Sequence, residues 1–173
     1  MQGALQSSVH PRDEHGRFCD KGIMELSQAE RQELLDYLEA EKYVSHNGFH
    51  VSERKIEAVR NGKYTDEVRA CEVLTKHGFD VYLLDEQYTR REKADIFFKK
   101  DGMRDFMELK ETDDKITTQY NRSVPQSPNC LITVTGYFSK VQRKNLLNAI
   151  EKNKNAKEVY VYLKKSDTLL KIK

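Results

Sequence analysis

The sequence predicts a mixed α/β domain, a central sheet flanked by helices, and three observations carry that expectation. Segments with apolar residues at helical spacing alternate with short strand-like segments along residues 64–173. The pair Asp101-Gly102 separates ADIFFKK from MRDFMELKE, and Asp-Gly between two such runs is a strong hairpin signal. CLITVTG, SKVQRKNLLNAIEKN and EVYVYLKK then read as a buried strand, an amphipathic helix and a strand.

Each element follows from its local pattern. Residues 1–22 hold His10-Pro11, Gly16 and Gly22 among many charges, the composition of a flexible leader. SQAERQELLDYLEAEKY is a helix in which Ser27 and Glu30 form a capping box and Leu34, Leu35 and Leu38 an apolar stripe. SERKIEAVR is a weaker helical segment, and Asn61-Gly62 breaks the chain after it. Residues 23–63 are therefore expected as a helical adaptor ahead of the α/β domain at 64–173. There DEVRACEVLTKHG is a helix closed by Gly78, FDVYLL a strand and DEQYTRREK a polar loop. After the hairpin, DDKITTQYNRSV is a helix stopped by Pro125, Ser139 opens the last helix, and TLLKIK adds a strand.

Composition narrows the function classes. With 173 residues, one domain plus appendages is the expectation. Charged residues make up 34% of the chain, and no run approaches the ~20 apolar residues of a membrane-spanning helix. No secretory signal pattern is visible, and Cys19, Cys71 and Cys130 are isolated, which argues against a disulfide framework, a structural zinc site or thiol catalysis. A reducing, intracellular setting follows. Residues 139–173 carry ten basic and three acidic groups, a net +7 in a chain of net +2, which suits either a nucleic-acid-facing surface or a solvated lysine-rich face. His46 and His50 have metal-ligand spacing but no third ligand, and read as structural or surface residues.

The hairpin sets up the chemistry. With Asp101-Gly102 as the turn, Phe97 faces Phe106 and Asp95 faces Glu108. Opposed Cβ atoms lie roughly 4.5–5.5 Å apart, so two like charges there repel unless something offsets them. A divalent cation held by Asp95 and Glu108 would do so, and carboxylate oxygens suit Mg2+. Lys110, two residues after Glu108, shares its sheet face. Glu67, Ala70, Cys71 and Leu74 form one helical stripe, so Glu67 either points at the sheet or only serves the helix N-terminus. Lys115, Gln119 and Arg122 share a polar helix face after Lys110, placed either to meet substrate phosphates or to face solvent.

The ordered set Glu67, Asp95 and Glu108-Leu109-Lys110 resembles the PD-(D/E)xK nuclease pattern, with Ala94 where the pattern has proline before the aspartate. More closely, residues 64–173 resemble the C-terminal tRNA nuclease domains of CdiA-type contact-dependent inhibition toxins, through DEVRACEVLTKHGFDVYLL, KADIFFKKDGMRDFMELK and NRSVPQSPNCLITV. The resemblance implies a PD-(D/E)xK-like fold and a nuclease acting on RNA, tRNA in particular. It implies Glu67, Asp95, Glu108 and Lys110 as catalytic residues, Gln126 as a match to a glutamine of those domains, an immunity protein as partner, and the bacterial cytoplasm as the place of action. In the leader, VHPRDEHGRFCDKG is similar to a short motif of phage minor head proteins through Arg12, Asp13, Glu14, Gly16, Arg17 and Phe18, which implies a phage head or delivery partner and association with a virion.

Two routes to phosphodiester cleavage stay open at this point. In one, a metal at Asp95 and Glu108 activates water and Lys110 stabilises developing charge. In the other, a metal-independent ribonuclease of the barnase-like toxin group, the ribose 2′-OH attacks, with Lys110, Lys93 or His77 as acid or base. Lys93, Lys115, Gln119, Arg122 and Gln126 are the substrate-binding candidates. A phage structural or nucleic-acid-binding protein with a nuclease fold and no activity is the alternative outside enzymes.

Overall fold

The computed structural model describes residues 21–85 and 93–173. The leader motif at 12–18, Cys19 and most of the polar loop lie outside these residues. Among the described residues the first element is a single 3-10 turn, Ile23–Glu25, followed by α1, Gln28–Glu39, with the Ser27–Glu30 capping box in place. Then come β1 (Tyr43–His46), β2 (Phe49–Ser52), α2 (Ile56–Arg60), α3 (Thr65–Lys76) and β3 (Asp80–Leu83). The hairpin of β4 (Ile96–Lys100) and β5 (Met103–Thr112) leads to α4 (Ile116–Ser123), β6 (Cys130–Val134), α5 (Lys140–Lys152), β7 (Val159–Leu163) and β8 (Thr168–Lys171).

The eight strands form one mixed sheet in chain order from β1 to β8. Tight turns join the antiparallel pairs β1–β2, β4–β5 and β7–β8. The parallel pairs β2–β3, β5–β6 and β6–β7 use helical crossovers, as parallel neighbours require. Asp101 and Gly102 both have positive φ, 51° and 77°, matching the type I′ hairpin expected of Asp-Gly. Among the described residues, no helix is long and apolar enough to cross a membrane.

Residues 23–63 depart from a purely helical adaptor. Asn47 and Gly48, with φ of 48° and 87°, form a second type I′ turn, and β1 and β2 extend the same sheet. The spacing of His46 and His50 comes from this hairpin: His50 Nε2 lies 2.9 Å from Asp80 Oδ1 and its ring stacks on Tyr82. Phe49, Val51, Ile56 and Val59 are buried in one cluster with Leu74, Phe98 and Met107. Helix α1 covers the other face through Leu34, Leu35 and Leu38 against Phe97 and Phe106, and Arg104 clamps it by reaching Asp36 and Glu39 at 2.6 Å each. Lys21, at the end of the expected leader, pairs with Glu30 at 3.3 Å.

This packing predicts that residues 64–173 do not fold alone. Burying a large aliphatic or aromatic side chain is worth about 1.5–3 kcal/mol, so losing the four from β2 and α2 removes about 6–12 kcal/mol. A typical domain has only ~5–15 kcal/mol to lose. A fragment starting at Lys63 is expected to show no cooperative thermal transition by circular dichroism, while the chain from Lys21 retains one.

Candidate active site

The site forms where β5 parts from β4. The antiparallel ladder ends at Ile96 and Met107, and from Glu108 to Thr112 β5 pairs with β6. The edge of β5 that β4 leaves is met by the side chain of Asp95: the Leu109 N–H donates to Asp95 Oδ2 at 2.9 Å, and the Leu84 N–H donates to the Asp95 carbonyl at 2.9 Å. On the far side, the Glu108 N–H donates to the Asn129 carbonyl at 3.0 Å. The fully buried Asn129 also donates from Nδ2 to the Phe106 carbonyl at 2.7 Å and accepts from the Glu158 N–H at 2.9 Å. Asn129 thus pins β5, β6 and β7 around Glu108.

The ladder stops one pair short of Asp95 and Glu108, yet the Asp95 side chain turns onto β5, so that Asp95, Glu108 and Lys110 still meet. Lys110 Nζ lies 3.1 Å from Glu108 Oε1. Glu108 is 3% exposed; no N–H or hydroxyl reaches its Oε2, and its carboxyl lies within hydrogen-bonding reach of the Asp95 carboxyl. Burial, and then the charge of Asp95, push the Glu108 carboxyl up to about 9 against the pull of Lys110. Asp95 is also raised by burial, although the Leu109 N–H draws it back. Two buried carboxyl groups in contact cannot both carry charge unless a cation joins them; otherwise they share a proton. Among the described residues, no group of three or more His, Cys, Asp or Glu side chains converges as a metal cage.

A pocket of about 150 Å³ opens at Lys110, lined by Asp66, Glu67, Ala70, Leu109, Lys110, Glu111 and Gln119; Asp95 and Glu108 lie outside its lining. Helix α3 supplies Glu67 and α4 supplies Gln119, so the gap between β4 and β5 is closed by one helix on each face. Ala70, Cys71 and Leu74 are buried along the stripe that Glu67 heads. Burial raises the Glu67 carboxyl, and the charge of Asp95 adds to that rise. Glu111 is tied to Arg69 at 3.2 Å. A larger cleft of about 370 Å³ lies between the end of α1, the β1–β2 edge and Leu84, and its lining lacks all four predicted catalytic residues.

The other predicted residues separate. Lys115 caps the start of α4 and lines a different groove with Gln142 of α5. Arg122 is exposed, and Gln126 donates from Nε2 to the Arg122 carbonyl at 2.9 Å, which closes the end of α4. Lys93 is half-buried two residues before Asp95. His77 is misplaced for acid–base work: it lies ten residues beyond Glu67 on α3, about 15 Å away at 1.5 Å per residue. There its Nδ1 is 2.8 Å from the Val73 carbonyl, and its own carbonyl accepts from Lys100 Nζ at 2.7 Å. Cys71 and Cys130 are buried and both thiols are pushed up by that burial, Cys130 to about 12, which suits them to packing and not to nucleophilic attack.

Lys55 is the site residue that the sequence reading passed over. It sits between β2 and α2, is 4% exposed, and donates from Nζ to the Leu84 carbonyl at 3.2 Å. Its ammonium lies 3.9 Å from the centroid of the Tyr64 ring, and Tyr64 holds a left-handed backbone, φ 59°, at the start of α3. The Lys55 charge lowers the carboxyl groups of both Asp95 and Glu67. A buried lysine is stable only with such compensation. Two lysines, Lys55 and Lys110, therefore face three acids.

The hydrogen bond to Leu109 changes what Asp95 variants should do. Asp95→Ala orphans a partly buried N–H, at about 1–3 kcal/mol. Asp95→Asn keeps an acceptor there and removes the charge. The expected melting temperatures, read by circular dichroism, rank parent and Asp95→Asn together, with Asp95→Ala below. No family model matches the chain, and no curated protein or solved structure matches it.

Proposed function

We propose that the protein is a nuclease of the PD-(D/E)xK type that cleaves phosphodiester bonds in RNA, with tRNA as the substrate the sequence resemblance favours. The observation that carries this reading is the buried Glu108, 3.1 Å from Lys110 and in hydrogen-bonding reach of a second buried carboxyl, Asp95, where β4 and β5 part. A Mg2+-type cation held by Asp95 and Glu108 would polarise the phosphoryl group and lower the pKa of a bound water.

The residues around it have separable roles. Lys110 presents its ammonium to the oxygen on which charge develops, a donor fixed in place before the reaction begins. Gln119 and Glu67, on the pocket wall, orient the attacked group and its nucleophile. Lys55 balances the charge of Asp95 and Glu67 from beneath. The C-terminal +7 block supplies phosphate contacts, which position substrate without reading bases. A toxin-like role with an immunity protein, and delivery through a phage-related N-terminal segment, belong to the same proposal and rest on the resemblances alone.

One observation favours the metal-independent route. At neutral pH a Glu108 raised to about 9 holds a proton, and a protonated carboxyl can act as a general acid. The test is to incubate the purified protein with total RNA and with DNA, each in magnesium or EDTA. RNA cut in magnesium and intact in EDTA is the expected result. RNA cut equally in both selects the metal-independent route, and no cutting of RNA or DNA under any condition overturns the nuclease reading.

A further inference from the structure

Tyr137 is 80% exposed, more than any other large apolar side chain among the described residues. It stands in the loop between β6 and α5, and the loop is fixed on both sides. Before it, the Thr135 N–H donates to the Thr112 carbonyl at 3.0 Å. Gly136 packs so tightly that a Cβ there would lie 2.5 Å from the Asp113 carbonyl oxygen. After it, Ser139 and Gln142 close a capping box, and Gln142 Nε2 donates to the Asp114 carbonyl at 3.2 Å. A bulky ring on a locked loop gains nothing for the core, yet its shape is already set for a ligand.

Lysines flank Tyr137 on the side of the β7–β8 turn, while Asp113 lies against Thr135 and Gly136 on the other. Lys165 Nζ lies 4.1 Å from the ring centroid. The Lys164 N–H donates to the Val134 carbonyl at 3.0 Å, which brings the β7–β8 turn alongside the loop. Lys140, Lys164 and Lys165 are all exposed. The platform is also near the reacting centre: Lys110 lies two residues before Thr112, whose partner across β5–β6 is Val134, three residues before Tyr137. At ~3.3 Å per residue and ~4.8 Å between strands, that path is about 21 Å.

We propose that Tyr137 is a stacking platform for an unpaired base of the RNA substrate, with Lys165 against the ring and Lys140 and Lys164 meeting the adjoining phosphates. This deepens the nuclease reading and rests on it. Base–aromatic stacking is worth about 1–3 kcal/mol per base and accepts any base, because every base has a π-face. A cation against the ring adds to it. The ring offers nothing to a base already stacked in a duplex, so the protein selects single-stranded segments, loops and ends.

The test uses a fluorescein-labelled 12-nucleotide single-stranded RNA and the duplex of the same sequence, bound by protein carrying Glu108→Gln so that the RNA survives. Adding Tyr137→Ala should weaken single-strand binding by about 5- to 150-fold, the range of one lost stack. Duplex binding should change by less than about twofold, and the salt slope should not change, because no phosphate contact is lost. Tyr137→Phe should bind the single strand like the parent. Single-strand binding that survives Tyr137→Ala, or falls equally for the duplex, overturns the platform and leaves the nuclease reading standing. A parent protein that neither binds nor cuts either RNA overturns both.

Discussion

A Lys110→Met protein is expected to fold, to bind RNA nearly as tightly as the parent, and to cleave it about 100- to 1,000-fold more slowly, the usual loss when one preorganised donor is removed from a transition state. The methionine keeps the length of the lysine stem, and Lys110 is only partly buried, so the fold loses one ion pair and little packing. In a protein that merely carries this fold, the same change costs no function, because Lys110 would only neutralise a carboxylate. On the proposed reading, binding rests on the exposed cations of α5 and the β7–β8 turn, which this change leaves in place. Toxicity on expression in bacteria should disappear with the cleavage.

Glu108→Gln should abolish cleavage and at the same time stabilise the protein in metal-free buffer above neutral pH. In the unfolded chain Glu108 loses its proton near the ordinary 4.5, and in the folded protein only near 9. Between those values the folded state binds the extra proton, so stability falls as pH rises through the window and levels off above it. Glutamine has the shape of the protonated carboxyl and no charge to bury. At pH 8, about 3.5 pH units above the unfolded value, linkage allows a gain of up to about 5 kcal/mol, at ~1.36 kcal/mol per unit. That corresponds to a melting temperature higher by up to about 10–20 °C. At pH 4 the two proteins should melt together. A thermal-melt series in EDTA from pH 4 to pH 9 measures the effect, and a parent with no pH slope relative to Glu108→Gln removes the strained pair.

Much of the centre was legible because it is local. Asp101-Gly102 sets a two-residue turn, and the turn sets the register that, carried one pair past the ladder, opposes Asp95 to Glu108 and puts Lys110 on the same face. The stripe headed by Glu67 needed only helical spacing. Asn47-Gly48 carried the same hairpin signal, but its flanking strands are four residues each and hold two histidines, which read as a ligand spacing.

Lys55 and Asn129 were not legible in this way. Nothing in SERK distinguishes Lys55 from Arg54. Lys55 becomes a buried site residue only because β2 pairs with β3, which brings the Leu84 carbonyl within 3.2 Å. Asn129 spans three strands separated by long stretches of chain, a placement that no local spacing encodes. His77 shows the opposite failure: its residue type suggested acid–base work, and only the length of α3 shows that it sits at the wrong end.

Single-turnover cleavage of a 5′-labelled tRNA is the most direct measurement of the central claim, run with parent, Glu108→Gln and Lys110→Met proteins in magnesium and in EDTA. The expected result is cleavage by the parent in magnesium and near-complete loss in both variants, each still folded by circular dichroism. Equal cleavage by all three would contradict the assignment of Glu108 and Lys110 to the active centre.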